Sequence, residues 1–147
     1  MFTRIVVGTD GSDTAEEAVS QAIDLAKMTG ATLSIVSAFA PVPKRRIEAE
    51  QEGAPPDIAN QIGPREDVNL ILDAAAAKAR AARVEVQTHP VEGDAADALL
   101  NVAEEIKADL IVVGNKGMTG ARRYFLGSVP NNVSHHAPCS VMIVQTT

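Results

Sequence analysis

Short apolar runs alternate along the chain with segments in which apolar residues recur at every third or fourth position. Continuous Val, Ile and Leu are typical of strands buried on both faces, as in parallel sheets. One of the runs instead alternates apolar with polar residues, which indicates a half-exposed strand. The five predicted strands are residues 4–8, 32–38, 84–88 (the alternating run), 110–113 and 140–144.

The segments between these runs have the period of amphipathic helices. Ser12 or Asp13 can cap the start of the first helix, and Gly30 can end it. Pro130 is tolerated in the last helix because it falls within the first turn. The apolar stripes comprise Ala15, Ala18, Val19, Ala22, Ile23 and Ala26; Val68, Ile71, Leu72, Ala75 and Ala79; Ala98, Leu99, Val102, Ala103 and Ile106, which follow Asp94; and residues 129–137.

This alternation predicts an α/β fold: an open parallel sheet with right-handed crossovers and helices on both faces. The 147 residues suit one domain that spans the whole chain, 1–147. Residues 41–64 depart from the pattern, since they hold five prolines, two glycines and the basic run Lys44-Arg45-Arg46. A connection this long is usually functional or disordered. It is either a solvated, flexible loop or a lid whose cations approach a bound phosphate.

Charge and composition narrow the classes of function. The 13 basic and 19 acidic residues give a net charge of −6, which argues against a broad nucleic-acid surface, and with no Trp and one Tyr there is no aromatic platform for bases. The single cysteine, Cys139, excludes an internal disulfide and favours a small core residue over a nucleophile. No apolar run reaches the ~20 residues of a membrane helix, and the first strand leaves no room for a signal peptide. We therefore expect a cytoplasmic protein.

A spaced set of glycines carries the strongest functional signal. Gly114 and Gly117 follow the fourth predicted strand, and Gly127 and Ser128 precede the last predicted helix. Glycines let the backbone approach an anion, and the free N–H groups of a first helical turn point at it. Ser128 can donate its hydroxyl to phosphate or cap its helix. Arg122 and Arg123 are either cations for the phosphate or solvated surface residues.

A second small-residue turn follows the first predicted strand at residues 8–12. If the first and fourth strands are neighbours, Asp10 faces the same crevice as the glycine segment. Asp10 can then accept hydrogen bonds from a ribose hydroxyl or hold Mg²⁺; the alternative is a turn residue that bonds its own backbone. The sequence lacks a Walker phosphate loop, a G-x-G-x-x-G fingerprint and a G-x-S-x-G elbow. These features favour a protein that holds a nucleotide over an enzyme, with slow hydrolysis or phosphotransfer as the alternative.

The spacing Gly114-x2-Gly117-x9-Gly127-Ser128 matches the G-x2-G-x9-G-[S/T] signature of ATP-binding universal stress proteins, and the chain resembles this UspA-like family over nearly its whole length. The resemblance implies a Rossmann-like five-stranded sheet of order 3-2-1-4-5. It also implies that Thr9 and Asp10 meet adenosine and ribose, and that Ala38 lies by the adenine. The residues implied or predicted at the phosphates are Gly114, Asn115, Gly117, Arg123, Gly127, Ser128 and Val129.

The chain also resembles a mycobacterial subgroup of the family that binds cyclic AMP. That resemblance includes Gly114-Asn115-x-Gly117, residues 126–130 and the ending Val144-x-Thr146-Thr147. The expected function is an adenine-nucleotide-binding protein of stress response or signalling. ATP, with Mg²⁺ as a companion ion, is the expected ligand and cyclic AMP the alternative; nucleotide can also act as a shape switch in an interaction module. The family resemblance further implies a homodimer through Ser140–Val144, an apolar, uncharged strand that invites pairing.

Overall fold

The computed structural model describes residues 1–40, 64–115 and 128–146, and in them five parallel strands form one sheet. The strand order is β3-β2-β1-β4-β5, which confirms the predicted order and fold class. The strands are β1 (Arg4–Gly8), β2 (Thr32–Phe39), β3 (Val86–Glu92), β4 (Leu110–Gly114) and β5 (Ser140–Val144). The helices are α1 (Asp13–Thr29), α2 (Pro64–Ala81), α3 (Ala95–Ile106) and α4 (Ser128–His136).

Two aliphatic layers hold the helices against the sheet. One layer joins α1 and α2 to one face through residues such as Val19, Leu72 and Ile35. The other joins α3 and α4 to the opposite face through residues such as Leu99, Val133 and Ile111. Because both faces are covered, the middle residues of β1, β2 and β4 are buried, as their apolar runs predicted.

The helix ends follow the predicted caps. The Ser12 hydroxyl accepts a hydrogen bond from the Ala15 N–H at 3.2 Å, so Ser12, not Asp13, caps α1. Gly30 ends α1 in the left-handed conformation, at φ 73°. The Asp94 carboxylate caps α3 in the same way through the Asp97 N–H. Ser12 and Asp94 each satisfy a backbone donor that the helix itself leaves without a partner, whereas the Gly30 N–H donates to the Ala26 carbonyl at the other end of α1.

The third strand differs from its prediction of 84–88. Val84 N–H instead donates to the Ala79 carbonyl at the end of α2, and the strand continues to Glu92. The strand includes Pro90, and it is an outer strand in which most residues are half-buried. The Glu85 carbonyl accepts a hydrogen bond from the Leu33 N–H of β2, so the backbone groups of Glu85 face β2. In a strand, the backbone N–H and C=O groups of every second residue face the same neighbouring strand. Pro90 therefore faces away from β2, where a missing N–H is tolerated.

Part of the predicted chain lies outside the described residues. These are residues 41–63 of the predicted 41–64 connection, which include Lys44–Arg46, and residues 116–127. Within the part that is described, no helix combines the length and apolar character that crossing a membrane requires.

Candidate functional site

The strand order creates a crevice at the carboxyl ends of β1 and β4. The connection that leaves β1 runs through α1 on one face of the sheet, whereas α4, which follows β4, lies on the other. Such a divergence of neighbouring connections opens a cleft beyond the strand ends, the common ligand position in open α/β sheets. Here the cleft has a volume of about 420 Å³, within the range of small-molecule sites.

The structure brings six of the ten predicted binding residues to this one cleft: Thr9, Asp10, Ala38, Gly114, Ser128 and Val129. They come from the turn after β1, the end of β2, the end of β4 and the first turn of α4. Gly117, Arg123 and Gly127, together with Arg122, lie outside the described residues, so their roles stay predictions. Asn115 is described but does not line the cleft.

The turn after β1 is held by its own hydrogen bonds. Thr9 is buried, donates its N–H to the Val36 carbonyl at 2.9 Å and accepts from the Gly11 N–H through Oγ1 at 3.1 Å. Asp10 Oδ1 accepts from the Ser12 N–H at 3.0 Å. Asp10 is thus a turn residue that bonds its own backbone. Because a carboxylate has about four lone-pair positions, this turn role is compatible with the predicted contact to a ligand.

One wall of the cleft is apolar. Val36 and Ala38 of β2, Val113 of β4, and Ala95 and Leu99 of α3 line it. Gly8 brings the Leu99 side chain against the strand: a Cβ at Gly8 would lie 3.1 Å from both Leu99 methyl carbons. The wall is therefore an aliphatic surface beside the polar Thr9–Asp10 turn, a combination that suits an apolar ring joined to a hydroxylated group.

The opposite end of the cleft is the N-terminus of α4, formed by Ser128, Val129 and Pro130. The first turn of α4 contains no acidic residue, whereas the first turn of α1 contains Asp13 and Glu16. Pro130 has no N–H, so the unpaired donors of this turn come from Ser128, Val129 and Asn131. Of the two helix ends, α4 therefore presents the positive end of its dipole to the cleft with no carboxylate in its own first turn, which favours binding of an anion there.

Asn115 has a structural role that its sequence position did not indicate. Its Oδ1 accepts two hydrogen bonds from Thr146, from the N–H at 2.7 Å and from the hydroxyl at 2.9 Å. Its own N–H donates to the Val144 carbonyl at 3.0 Å. The side-chain oxygen is thus directed to the end of β5, and the predicted contact between Asn115 and phosphate gains no support from this geometry.

The predicted metal role of Asp10 stays a prediction. Among the described residues, no group of three or more His, Cys, Asp or Glu side chains could hold a metal ion. Asp10 is also the only acidic residue among those described in the cleft lining. One carboxylate fits Mg²⁺ only where the phosphates of a nucleotide supply further ligands.

Cys139 and His89 are partly buried ionisable side chains. The sequence analysis interpreted Cys139 as a small core residue and did not identify His89. Burial, and then the charge of Asp109, raise the pKa of Cys139, which keeps the thiol protonated and agrees with its interpretation as a small core residue. In His89 of β3 the Nε2 atom is buried without a hydrogen-bond partner. Burial lowers the pKa of His89, against a smaller opposing effect of Glu105.

Several cleft residues escaped prediction because only the sheet order places them there: Gly8, Thr14, Ala15, Val36, Ala95, Leu99, Val113 and Pro130. Ala15 and Leu99 appeared in the predicted apolar stripes, but a stripe indicates burial and not a binding wall. A usable signal was their position near the start of a helix or the end of a strand, since these ends collect at one edge of a parallel sheet.

Comparisons with known proteins agree with this architecture. A family model described as the universal stress protein family matches residues 1–145. Universal stress protein Rv1636 of Mycobacterium tuberculosis is 36% identical over 146 residues, covering 99% of this chain and 98% of the relative. Universal stress protein YxiE of Bacillus subtilis is 32% identical over 158 residues, covering 99% of this chain and all of the relative.

One solved structure is as similar to this chain in sequence as the Mycobacterium tuberculosis relative is. The crystal structure of a universal stress protein in complex with cAMP is 36% identical to this chain and superposes with a TM-score of 0.74, covering 99% of this chain and 98% of that one. The family match over nearly the whole length and the two relatives above 30% identity lead to one conclusion. The chain belongs to the universal stress protein family.

Proposed function

We propose that this protein binds an adenine nucleotide in the cleft between β1 and β4 and acts in stress response or signalling. The observation that carries the proposal is the meeting of three surfaces in one cleft. The aliphatic wall suits the adenine ring, the Thr9–Asp10 turn suits the ribose, and the first turn of α4 suits phosphate. The relative whose structure contains cAMP supports the same class of ligand.

Charge favours cyclic AMP within the described part of the cleft. No Lys, Arg or His is among the lining residues that the structure describes, and Asp10 contributes a negative charge. A single phosphodiester can be held by backbone donors and the dipole of α4. A triphosphate carries more negative charge and would need Mg²⁺ or cations such as Arg122 and Arg123. ATP is the second candidate because the glycine signature, with Gly117 and Gly127, is that of ATP-binding members.

Titration calorimetry with cyclic AMP, and with ATP in the presence and absence of Mg²⁺, tests both candidates. Cyclic AMP is expected to bind more tightly than ATP without Mg²⁺. An Asp10→Asn variant keeps an oxygen for the Ser12 N–H and removes the charge, so it should reduce any Mg²⁺-dependence of ATP binding. Asp24→Asn, the same change on an exposed residue further along α1, is the matched control. If neither nucleotide binds the wild type, the proposed function is wrong.

The same geometry supports a regulatory role over a catalytic one. Among the described lining residues, Asp10 is the only side chain with the chemistry of a general base, and its Oδ1 already serves the turn. Slow hydrolysis remains the alternative to test. Sustained ATP turnover that disappears in Asp10→Ala would favour an enzyme.

The outer edge of β5 suggests a second copy of this chain as a partner. Strand β5 ends the sheet, and its Met142 and Ile143 side chains are 38% and 39% exposed. An exposed apolar edge strand invites pairing, and a charge on it prevents pairing. We expect a dimer in sedimentation equilibrium that Ile143→Lys dissociates. Leu70→Lys, on an exposed apolar residue of α2, should leave the dimer intact; a monomeric wild type would contradict the proposal.

A further inference from the structure

The ends of β4 and β5 are joined by a cluster of hydrogen bonds just beyond the last paired residues. The ladder between the two strands ends at Gly114 and Val144. Past it, the Asn115 N–H donates to the Val144 carbonyl, and Asn115 Oδ1 accepts from both the N–H and the hydroxyl of Thr146. Both lone pairs of the Asn115 side-chain oxygen are thus used by one residue. The orientation of the Asn115 amide is fixed as a result.

Thr146 also packs against Gly114. A Cβ placed on Gly114 would lie 3.2 Å from Thr146 Cγ2, so the threonine methyl covers the position where glycine has no side chain. One residue therefore holds two consecutive residues of the chain: Gly114 through its methyl group and Asn115 through its hydroxyl and N–H. Gly114 lines the cleft, and Asn115 is the residue from which the chain departs towards the rest of the glycine signature.

Neither Asn115 nor Thr146 belongs to the cleft lining. Thr146 instead lines a neighbouring open surface cavity with Asp13 and Glu17 of α1, and Thr14 is the residue common to that cavity and the cleft. Thr146 thus lies behind the cleft, on the far side of Gly114. Any effect of Thr146 on a bound nucleotide must act through the residues that it holds.

We propose that Asn115 and Thr146 are a positioning pair that pre-orders the start of the glycine segment for phosphate, without contacting the nucleotide. This inference rests on the proposed nucleotide binding. Ordering backbone costs conformational entropy, and a site that is already ordered does not lose that entropy again when it binds. Removal of the hydrogen bonds would transfer the cost of ordering Gly114 and Asn115 to the binding step, and affinity would fall.

The test is titration calorimetry with cyclic AMP and with ATP on the wild type, Asn115→Ala, Thr146→Val, the double variant and Thr146→Ser. Loss of a hydrogen bond of this kind predicts that Asn115→Ala and Thr146→Val each raise Kd about threefold to tenfold. Since both variants act on one interaction, the double variant should bind no more weakly than Asn115→Ala. Thr146→Ser keeps both hydrogen bonds to Asn115 and loses only the methyl contact with Gly114, so its Kd should lie closer to that of the wild type than to that of Thr146→Val.

Thr29→Val is the matched control. The Thr29 hydroxyl donates to the Leu25 carbonyl at 2.8 Å at the far end of α1, so this variant loses a similar hydrogen bond away from the cleft. Its Kd should equal that of the wild type. Recovery of affinity in Thr146→Ser and no change in Thr29→Val would distinguish positioning from a general loss of stability.

The outcomes separate the two proposals. If the wild type binds neither nucleotide, the proposed function fails and the positioning role falls with it. If the wild type binds a nucleotide and both single variants bind it with the same Kd as the wild type, only the positioning role is wrong. Weakened binding in Asn115→Ala alone would overturn the role of the Thr146 hydroxyl, because Thr146→Val removes that hydrogen bond and keeps the one from its N–H. Additive losses in the double variant would also overturn the pair.

Discussion

Replacing Gly114 with alanine adds one methyl group at a crowded point of the cleft floor. The new Cβ would lie 3.2 Å from Thr146 Cγ2 and 3.8 Å from the Ala18 Cβ. Optimal carbon contacts are about 3.5–4.0 Å, so the first distance is too short and the second is ordinary. Thr146 cannot retreat freely, because its N–H and hydroxyl are bonded to Asn115. The methyl of Thr146 is therefore the specific obstacle.

Two opposing effects set the magnitude. Overpacking of this kind costs about 1–3 kcal/mol. Gly114 is not among the described glycines with positive φ, so alanine can adopt its backbone conformation. Alanine also lowers the conformational entropy of the unfolded chain, which raises the free energy of unfolding by about 0.4–1 kcal/mol. We expect Gly114→Ala to lower the free energy of unfolding by roughly 0.5–2 kcal/mol, since overpacking is the larger effect.

A Thr146→Ser background should reverse the sign. Serine keeps the hydroxyl that bonds Asn115 and lacks the methyl group that the new Cβ would meet. In that background Gly114→Ala should raise the free energy of unfolding by about 0.4–1 kcal/mol. Urea denaturation followed by far-UV circular dichroism measures both effects, because the chain has no Trp to report by fluorescence. Equal destabilisation in both backgrounds would refute the reasoning.

Three further predictions concern pH and capping. Burial raises the pKa of Asp109, but hydrogen bonds from residues 3 and 4 outweigh this effect and hold the pKa below its ordinary value of 3.8. The ionised carboxylate therefore stabilises the fold above pH 3.8, and this contribution is lost as the pH falls further. Asp109→Asn should therefore lower the urea midpoint at pH 7, and the difference from wild type should shrink towards pH 2. Burial, against Glu105, lowers the pKa of His89 below 6.5, so its stabilisation is present above that pH and lost on acidification. Stability of His89→Gln should decline less than that of wild type between pH 7 and 5, and equal declines would contradict this. Ser12→Ala removes the bond to the Ala15 N–H and should cost about 1 kcal/mol in the same denaturation assay; an unchanged midpoint would argue against the cap.

The fold was predictable because its signals are local. The period of the apolar residues identified every element in the described ranges, and Ser12, Gly30 and Asp94 identified helix ends through interactions within a few residues. The bounds of β3 were not predictable in this way. They depend on β3 being an outer strand, which makes Pro90 acceptable, and outer position is a property of the whole sheet.

The candidate site was predictable only in part for the same reason. Asp10 and Gly114 stand out by residue type, and the sheet order then brings them to one cleft. Leu99 and Thr14 have no distinguishing chemistry, and their place in the cleft depends on contacts between elements distant in sequence. The bond between Asn115 and Thr146 spans 31 residues and involves two common polar residues, so no local pattern indicates it.

Strand β4 is fastened at both of its ends by side chains, to a different neighbour each time. At its start, the Asp109 carboxylate accepts from the Thr3 N–H, the Thr3 hydroxyl and the Arg4 N–H at the beginning of β1. At its other end, Asn115 is bonded to Thr146 beyond β5. A strand so short and so enclosed should exchange its amide hydrogens only when the whole domain unfolds. The exchange rates of the amides of residues 111–113 would then report the free energy of unfolding of the whole domain. If a candidate nucleotide slows this exchange, the change gives its affinity without a label, because a ligand that binds only the folded state stabilises it by RT ln(1 + [L]/Kd).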